Sequence, residues 1–147
     1  MKDNFNIKIK LLNEFGKIPS KSHQSDIGYD LYSDCLINLE PQKVTLVTLG
    51  IAIELPENIG GFVLPRSGLS SKHLIAPINA PGLIDPGYRG ELKVPLMNYS
   101  DSEYLVQQHE RIAQLVLIKT ENLLFEEVTE LQNSDRSDGG FGSTGKN

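Results

Sequence analysis

Short runs of alternating apolar and polar residues, broken by proline and glycine, constrain this chain more than any other feature. Alternation with period two places every second side chain on one face of a β-strand. It occurs at residues 7–11, 44–48 and 51–55, and further strands are predicted in "GFVLP" (61–65), "ELKVPLMNYS" (91–100), "RIAQLVLIKT" (111–120) and "LFEEV" (124–128). Eight prolines leave little space for a long helix. The pattern predicts an all-β fold, a sandwich or jelly roll, with one short helix at "SGLSSKHL" capped by Ser67.

Composition indicates one globular domain. The chain has 147 residues, of which 39% are hydrophobic and 22% charged, which excludes wholesale disorder. Nineteen acidic and 14 basic residues give a net charge of −5. This argues against nucleic acid as a partner, because such binding relies on an excess of Lys and Arg. A small anionic ligand is compatible with it, since a few arginines suffice for a positive pocket.

The single cysteine and the lack of long apolar stretches predict a cytoplasmic protein without a membrane partner. Cys35 has no second cysteine to pair with and is predicted to be a small packing residue. No stretch approaches the roughly 20 apolar residues of a membrane helix. The N-terminal stretch "MKDNFNIKIKLLNEFG" carries charges throughout and does not resemble a signal peptide.

The histidines do not predict a metal site built from protein ligands. His23, His73 and His109 are far apart, and none has a second ligand at the usual spacing. A Ser-His-Asp triad is not excluded by spacing, but no stretch has the form of a nucleophile elbow.

The stretch "PRSGLSSK" (65–72) has the composition of an anion site. Backbone N–H groups at the start of a helix attract anions, and Gly68 allows an oxygen to approach closely. Arg66 adds charge and Ser67 a hydroxyl donor. The alternative is that Ser67 only caps the helix and that Arg66 is a surface residue.

The stretch "NAPGLIDPGYRGELKV" is predicted to be a β-hairpin over residues 79–94. Pro86-Gly87 favours a tight turn between Ile84 and Tyr88. Asp85, beside this turn, is either a general base acting on a water molecule or a residue that caps the turn backbone. Tyr88 would present its ring to a ligand held by the hairpin.

Two polar residues need a partner or a function. Gln114 interrupts an apolar strand, so its amide either pairs within the core or reaches a ligand. Asp30 follows Gly28 in "SDIGYDLYS", where it either stabilises a turn or helps to hold a metal bound to an anionic ligand.

The C-terminal stretch "RSDGGFGSTG" (136–145) combines glycines with one aromatic residue and one arginine. The glycines predict mobility. One interpretation is a frayed terminus. The other is a lid that orders on a ligand, with Phe141 on a flat ring and Arg136 and backbone N–H groups around an anion.

Five of these stretches, in this order, resemble the five motifs of the homotrimeric dUTPases. They are "GYDLYS" (28–33), "PRSGLSSK" (65–72), "NAPGLIDPGYRGE" (79–91), "RIAQL" (111–115) and "RSDGGFGSTG" (136–145). The resemblance covers nearly the whole chain. It implies the jelly-roll-like, β-clip fold of that family in residues 1–132, and a flexible glycine-rich arm in residues 133–147 that closes over an active site of the trimer.

The resemblance also implies an activity and its residues. The family hydrolyses dUTP to dUMP and pyrophosphate with Mg²⁺, in active sites shared between three chains. Asp85 would activate the water that attacks the α-phosphorus, and Asp30 would reach Mg²⁺ only through water. The implied substrate-binding residues are Arg66, Ser67, Gly68 and Gln114 at the phosphates; Asn79, Gly82, Leu83 and Ile84 at uracil and deoxyribose; Tyr88 against the sugar; Lys93 beside the nucleotide; and Arg136, Phe141, Gly142, Ser143 and Thr144 in the arm.

The sequence departs from the family pattern at a few positions, none of which belongs to the implied catalytic residues. His109 stands where the family commonly has glycine, and "SDI" before Gly28 replaces small residues. The rivals are a dCTP deaminase-related enzyme and a non-catalytic nucleotide-binding regulator on the same fold. The aspartate in "IDPGY" and the glycine-rich arm favour the dUTPase.

Overall fold

The computed structural model describes residues 6–134, which form eleven strands and one helix. The strands are β1 (Lys8–Leu11), β2 (Tyr29–Tyr32), β3 (Ile37–Leu39), β4 (Val44–Thr48), β5 (Ile51–Glu54), β6 (Ile59–Leu64), β7 (Ile75–Pro77), β8 (Gly82–Ile84), β9 (Lys93–Asn98), β10 (Tyr104–Val106) and β11 (Arg111–Lys119). Helix α1 (Ser67–His73) connects β6 to β7. The predicted all-β fold with one short helix is confirmed. Between residues 6 and 134 no helix has the length and apolar character needed to span a membrane.

The described strands pair into four antiparallel sheets. The largest has the order β2-β11-β6-β8, and the next has the order β4-β9-β7. β1 pairs with β5, and β3 pairs with β10. All of these pairs join strands that are distant in sequence or separated by other elements, so the fold depends on long-range pairing.

An aliphatic core holds the sheets together. Its fully buried members come from both larger sheets and from the β3-β10 pair: Leu31, Leu39, Val47, Ile75, Leu96, Val106, Ile112 and Ala113. Burial of each large aliphatic side chain contributes about 1.5–3 kcal/mol. The sheets are therefore rigid supports for the loops between them.

The predicted hairpin over residues 79–94 is wrong, although its turn is correct. Tyr88 N–H donates to the Asp85 carbonyl at 3.1 Å, which closes the turn around Pro86-Gly87. The flanking strands, however, belong to different sheets: β8 pairs with β6, and β9 pairs with β4 and β7. Both β8 and β9 pair with strands that are distant in sequence instead of with each other. The two strands therefore diverge, and a cleft lies between them.

Two smaller predictions also fail. Residues 124–128 form no strand, and Leu124 and Phe125 are 99% and 104% exposed, because no segment between residues 6 and 134 pairs with them. Ser67 does not cap the helix. Arg66 occupies the cap position in an extended conformation and its carbonyl accepts the Ser70 N–H at 3.0 Å, which makes Ser67 the first helical residue.

Candidate active site

Strand β11 brings three of the sequence motifs together. In the ladder, Gln114 lies opposite Asp30 of β2 on one side and Leu64 of β6 on the other. The chain continues from Leu64 directly into Pro65 and Arg66. Strand pairing alone therefore places the aspartate, the glutamine and the Arg-Ser-Gly loop at the same end of one sheet.

These motifs surround a polar cleft of about 380 Å³. Its lining residues are Ser22, Asp26, Ile27, Gly28, Asp30, Arg66, Ser67, Gly68 and Gln114. Five of them were predicted as site residues: Asp30, Arg66, Ser67, Gly68 and Gln114. We call this space the polar cleft.

The Asp30 carboxylate anchors two arginines beside the polar cleft. Arg66 Nε lies 2.9 Å from Asp30 Oδ1, and Arg111 Nη1 lies 3.3 Å from Oδ2. Ser22 Oγ donates to Oδ2 at 3.1 Å, and Arg66 Nη1 donates to the Arg111 carbonyl at 3.1 Å. Asp30 is buried, so these partners compensate for the loss of its hydration. The carboxylates of Asp30 and Asp26 balance the formal charge of the two arginines, so an anionic ligand would be bound by the oriented guanidinium groups and not by an excess of positive charge.

Arg111 is a residue of this site that the sequence analysis missed. The sequence feature that could have identified Arg111 is its position as the first residue of the "RIAQL" motif, on the strand that carries Gln114. The alternation pattern did not show that Arg111 faces Asp30, because a bulge between Arg111 and Ala113 shifts the register there.

Gln114 holds the beginning of the Arg-Ser-Gly loop. Its Nε2 donates to the Pro65 carbonyl at 2.8 Å. A Cβ on Gly28 would lie only 2.3 Å from Gln114 Oε1 and 3.2 Å from Cδ. Gly28 is therefore glycine because a larger residue would displace the Gln114 amide.

A second cleft, of about 220 Å³, lies where β8 and β9 diverge. Its lining residues are Leu49, Val63, Asn79, Gly82, Leu83, Ile84, Asp85, Tyr88, Glu91, Leu92, Lys93, Val94 and Pro95. Seven of them were predicted as site residues: Asn79, Gly82, Leu83, Ile84, Asp85, Tyr88 and Lys93. We call this space the turn cleft. Glu91, whose carboxylate lies 3.5 Å from Lys93 Nζ, was missed.

Asp85 stands at the mouth of the turn cleft, directly after β8. Its side chain is exposed, and no residue between 6 and 134 donates a hydrogen bond to its carboxylate. The turn that follows is held from outside: Arg89 Nη1 donates to the carbonyls of Pro86 and Tyr88 at 2.6 and 3.0 Å. Asp85 thus combines a fixed backbone with a carboxylate that is available to a water molecule.

The two clefts have no lining residue in common. All twelve predicted site residues within the described range line one or the other. The remaining five, Arg136, Phe141, Gly142, Ser143 and Thr144, lie outside the described residues. Within residues 6–134 no group of three or more His, Cys, Asp or Glu side chains is arranged to hold a metal ion.

The departures noted in the sequence lie beside the polar cleft or remote from it. His109 has φ 64°, the left-handed region that glycine adopts easily, and it lies in a turn. Asp26 and Ile27 line the polar cleft, and Asp26 Oδ2 accepts the His23 N–H at 2.8 Å.

Comparison with known proteins identifies the family. The sequence model of the dUTPase family matches residues 14–145. The chain belongs to the dUTPase family. A deoxyuridine 5'-triphosphate nucleotidohydrolase of Clostridioides difficile is 45% identical over 141 residues, which cover 96% of this chain and 99% of that relative. One from Rhodococcus erythropolis is 43% identical over 146 residues and covers 99% of this chain and 89% of that relative.

Solved dUTPase structures share the fold. A mutant of the Staphylococcus bacteriophage 80alpha dUTPase with dUpNHpp superposes with a TM-score of 0.89 at 28% identity, over 97% of this chain and 100% of that one. A mutant dUTPase from phage phi11 of S. aureus, which coordinates a structural Mg(II) ion, gives a TM-score of 0.80 at 25% identity over 88% of this chain and 100% of that one. The predicted dUTPase fold is confirmed.

Proposed function

We propose that Asp85 is the general base with which this protein hydrolyses dUTP to dUMP and pyrophosphate. The observation that carries this proposal is the exposed Asp85 carboxylate on a fixed turn in a cleft of nucleoside size. A base in that position accepts a proton from a water molecule as the water attacks the α-phosphorus. The bond to the pyrophosphate group then breaks, and pyrophosphate leaves.

The polar cleft receives the phosphates in this proposal. Arg66, already oriented by Asp30, offers the rest of its guanidinium group to phosphate oxygens. Ser67 contributes a hydroxyl, and Gly68 contributes a backbone N–H that has no acceptor within the helix, because it lies in the first turn of α1. Positioning and charge neutralisation are the main requirements of phosphate-bond hydrolysis, so these residues need no covalent role.

The turn cleft receives uracil and deoxyribose. β8 is an edge strand of its sheet, paired with β6 on one side only. The backbone groups on its other edge are available to the polar edge of a base. Cytosine carries an amine where uracil carries a carbonyl, so fixed backbone donors and acceptors favour uracil by a large factor, on the order of 10⁴ in favourable cases.

The protein acts as a homotrimer with shared active sites in this proposal. The separation of the predicted residues into two clefts supports it, because a complete site then combines the turn cleft of one subunit with the polar cleft of another. Exposed apolar residues on β4, Val44 and Leu46, offer surface for such an assembly.

Mg²⁺ bound mainly by the triphosphate fits the residues of the polar cleft. Both Asp30 oxygens already accept from arginine or serine, so Asp30 reaches an ion only through water. Mg²⁺ keeps much of its water shell and favours phosphate oxygens, and when bound it supplies neutralisation of phosphate charge.

The C-terminal arm, residues 133–147, closes over the nucleotide in this proposal, with Phe141 on uracil and Arg136, Ser143 and Thr144 at the γ-phosphate. Its composition and the family membership support it. A chain ending at residue 132 should therefore retain its fold and lose most of its turnover. The cytoplasmic location and the exclusion of nucleic-acid and membrane partners stay predictions.

Pyrophosphate release from dUTP with Mg²⁺, measured beside dCTP, dTTP and UTP, tests the assignment of Asp85. Asp85→Asn should lower turnover of dUTP by about 10²-fold or more. Asp101→Asn is the matched control, because Asp101 is exposed and lines neither cleft. Turnover by Asp85→Asn at the control rate would refute the assignment, and ammonia release from dCTP would point to a deaminase.

A further inference from the structure

The Tyr88 ring in the turn cleft is held by its own loop. Its Oη donates to the Glu91 carbonyl at 2.9 Å. The ring lies against Gly90: a Cβ there would be 2.5 Å from Oη, 2.7 Å from Cζ and 3.1 Å from Cε2. Those separations are far below any normal contact, so the ring occupies the space that a side chain at position 90 would take.

The backbone does not require a glycine at position 90. Gly90 lies outside the positive-φ region, in which Gly50 lies at φ 64°. A positive φ therefore does not exclude an alanine, and the three nearest atoms that its Cβ would meet all belong to the Tyr88 side chain. Tyr88 is 45% exposed, so its ring has room to move away at little cost to the fold.

We infer that Gly90 is a specificity-determining residue, which selects deoxyribose over ribose by fixing the position of the Tyr88 ring. The inference rests on the proposed function, in which Tyr88 lies against the sugar. A 2′-hydroxyl is rejected only if the ring cannot yield to it. The hydrogen bond to Glu91 and the close packing on Gly90 fix both the direction and the depth of the ring.

The test compares kcat/KM for dUTP and UTP in wild type, Gly90→Ala and Gly87→Ala. Gly87 is the matched control, because it lies in the same turn and a Cβ on it has nothing within 4 Å. Wild type should prefer dUTP by about 10²-fold, the usual limit for rejecting one added hydroxyl by shape. Gly90→Ala should lower this preference about tenfold, while Gly87→Ala changes it less than about twofold.

If Gly90→Ala unfolds at the same temperature as wild type, the change in substrate preference comes from the site and not from a general loss of stability. A Tyr88→Phe variant, which keeps the ring and loses the bond to Glu91, should lower the preference by less than Gly90→Ala. An unchanged preference in Gly90→Ala, with wild type hydrolysing dUTP and rejecting UTP, would overturn the inference and leave the proposed function standing. A wild type without dUTP hydrolysis would overturn both.

Discussion

In the polar cleft the central carboxylate is paired with charged side chains, whereas in the turn cleft the carboxylate of Asp85 has no such partner between residues 6 and 134. Asp30 binds Arg66 and Arg111 at 2.9 and 3.3 Å. Asp85, by contrast, has no donor from residues 6–134, and its neighbour Tyr88 is fixed by a carbonyl and by Gly90. In the proposed function, the cleft that receives the phosphates is thus organised before the ligand arrives, and the cleft that carries the general base keeps its carboxylate available.

The difference separates two kinds of mutational effect. Removal of a charge from the polar cleft leaves buried or half-buried partners uncompensated and reduces stability as well as activity. Removal of the exposed charge in the turn cleft changes the chemistry and leaves the fold intact. The substitutions of Asp30 and Gly28 test that contrast, and those of Asp34 and His109 extend it to positions outside both clefts; they follow in order of expected size.

Asp30→Ala should cost the most stability, about 3 kcal/mol, because it removes the common partner of Arg66 and Arg111. The arginines are partly exposed, so water compensates for some of the loss. Urea denaturation at fixed protein concentration measures the change. Asp85→Ala, in the turn cleft, should change the free energy of unfolding by less than about 0.5 kcal/mol. Equal losses for the two variants would remove the contrast.

Gly28→Ala should raise KM for dUTP about tenfold through the polar cleft alone. The added Cβ would lie 2.3 Å from Gln114 Oε1 and would displace the amide that donates to Pro65. Steady-state kinetics measure the effect, with Gly87→Ala as the control in the turn cleft. If KM stays at the wild-type value, Gln114 does not hold the phosphate loop in the way described.

Asp34 offers a third arrangement, a buried carboxylate held by neutral donors outside both clefts. Burial raises its pKa, but hydrogen bonds from Thr48 and Asn13 outweigh this effect and hold the pKa below the ordinary value of 3.8. A lowered pKa in the folded state stabilises the protein above 3.8, and that contribution is lost as the pH falls through the folded pKa.

The stability advantage of wild type over Asp34→Asn should accordingly shrink as the pH falls from about 5 through 3.8 and on through the lowered pKa of the folded state. Urea midpoints at several pH values measure it. A constant difference across that range would show that the carboxylate charge contributes nothing, and dUTP turnover at neutral pH should be unaffected because Asp34 lines neither cleft.

His109→Gly should have the smallest effect, within about 1 kcal/mol of wild type. Glycine relieves the left-handed backbone, a gain of about 1 kcal/mol. It also removes the contact of His109 Nε2 with the Phe15 carbonyl at 3.0 Å, and it loosens the unfolded chain, which together offset the gain. Urea denaturation measures the change in the free energy of unfolding, and kcat/KM for dUTP measures any change in activity. A loss above about 2 kcal/mol would show that the contact with Phe15 dominates.

Local sequence pattern predicted several of the strands and failed where pairing is decided at a distance. Residues 44–48, 51–54 and 111–119 are strands as the alternation predicted. Residues 124–128 carry a similar pattern and are not a strand, because a pattern cannot supply a partner edge. The same limit explains the hairpin: the turn at Pro86-Gly87 is a local property, but the partner of β8 is not.

The candidate site followed the same rule. The motifs identified twelve described residues that line the two clefts, and they did so by residue chemistry and family resemblance. They did not reveal Arg111 or the space needed at Gly28 and Gly90. Those features depend on how close atoms from separate parts of the chain lie in the folded protein. Residue types alone do not predict these distances.

The sequence by itself determined the all-β class, the short helix, the tight turn before Tyr88 and the chemical groups available for nucleotide hydrolysis. Each of these depends on residues within a few positions of one another, through side-chain period, backbone preference or motif. Only the tertiary structure decided that β8 leaves β9 for β6 and that Asp30 meets two arginines. Both outcomes depend on how the whole core packs, because antiparallel edges are chemically alike and burial selects among them.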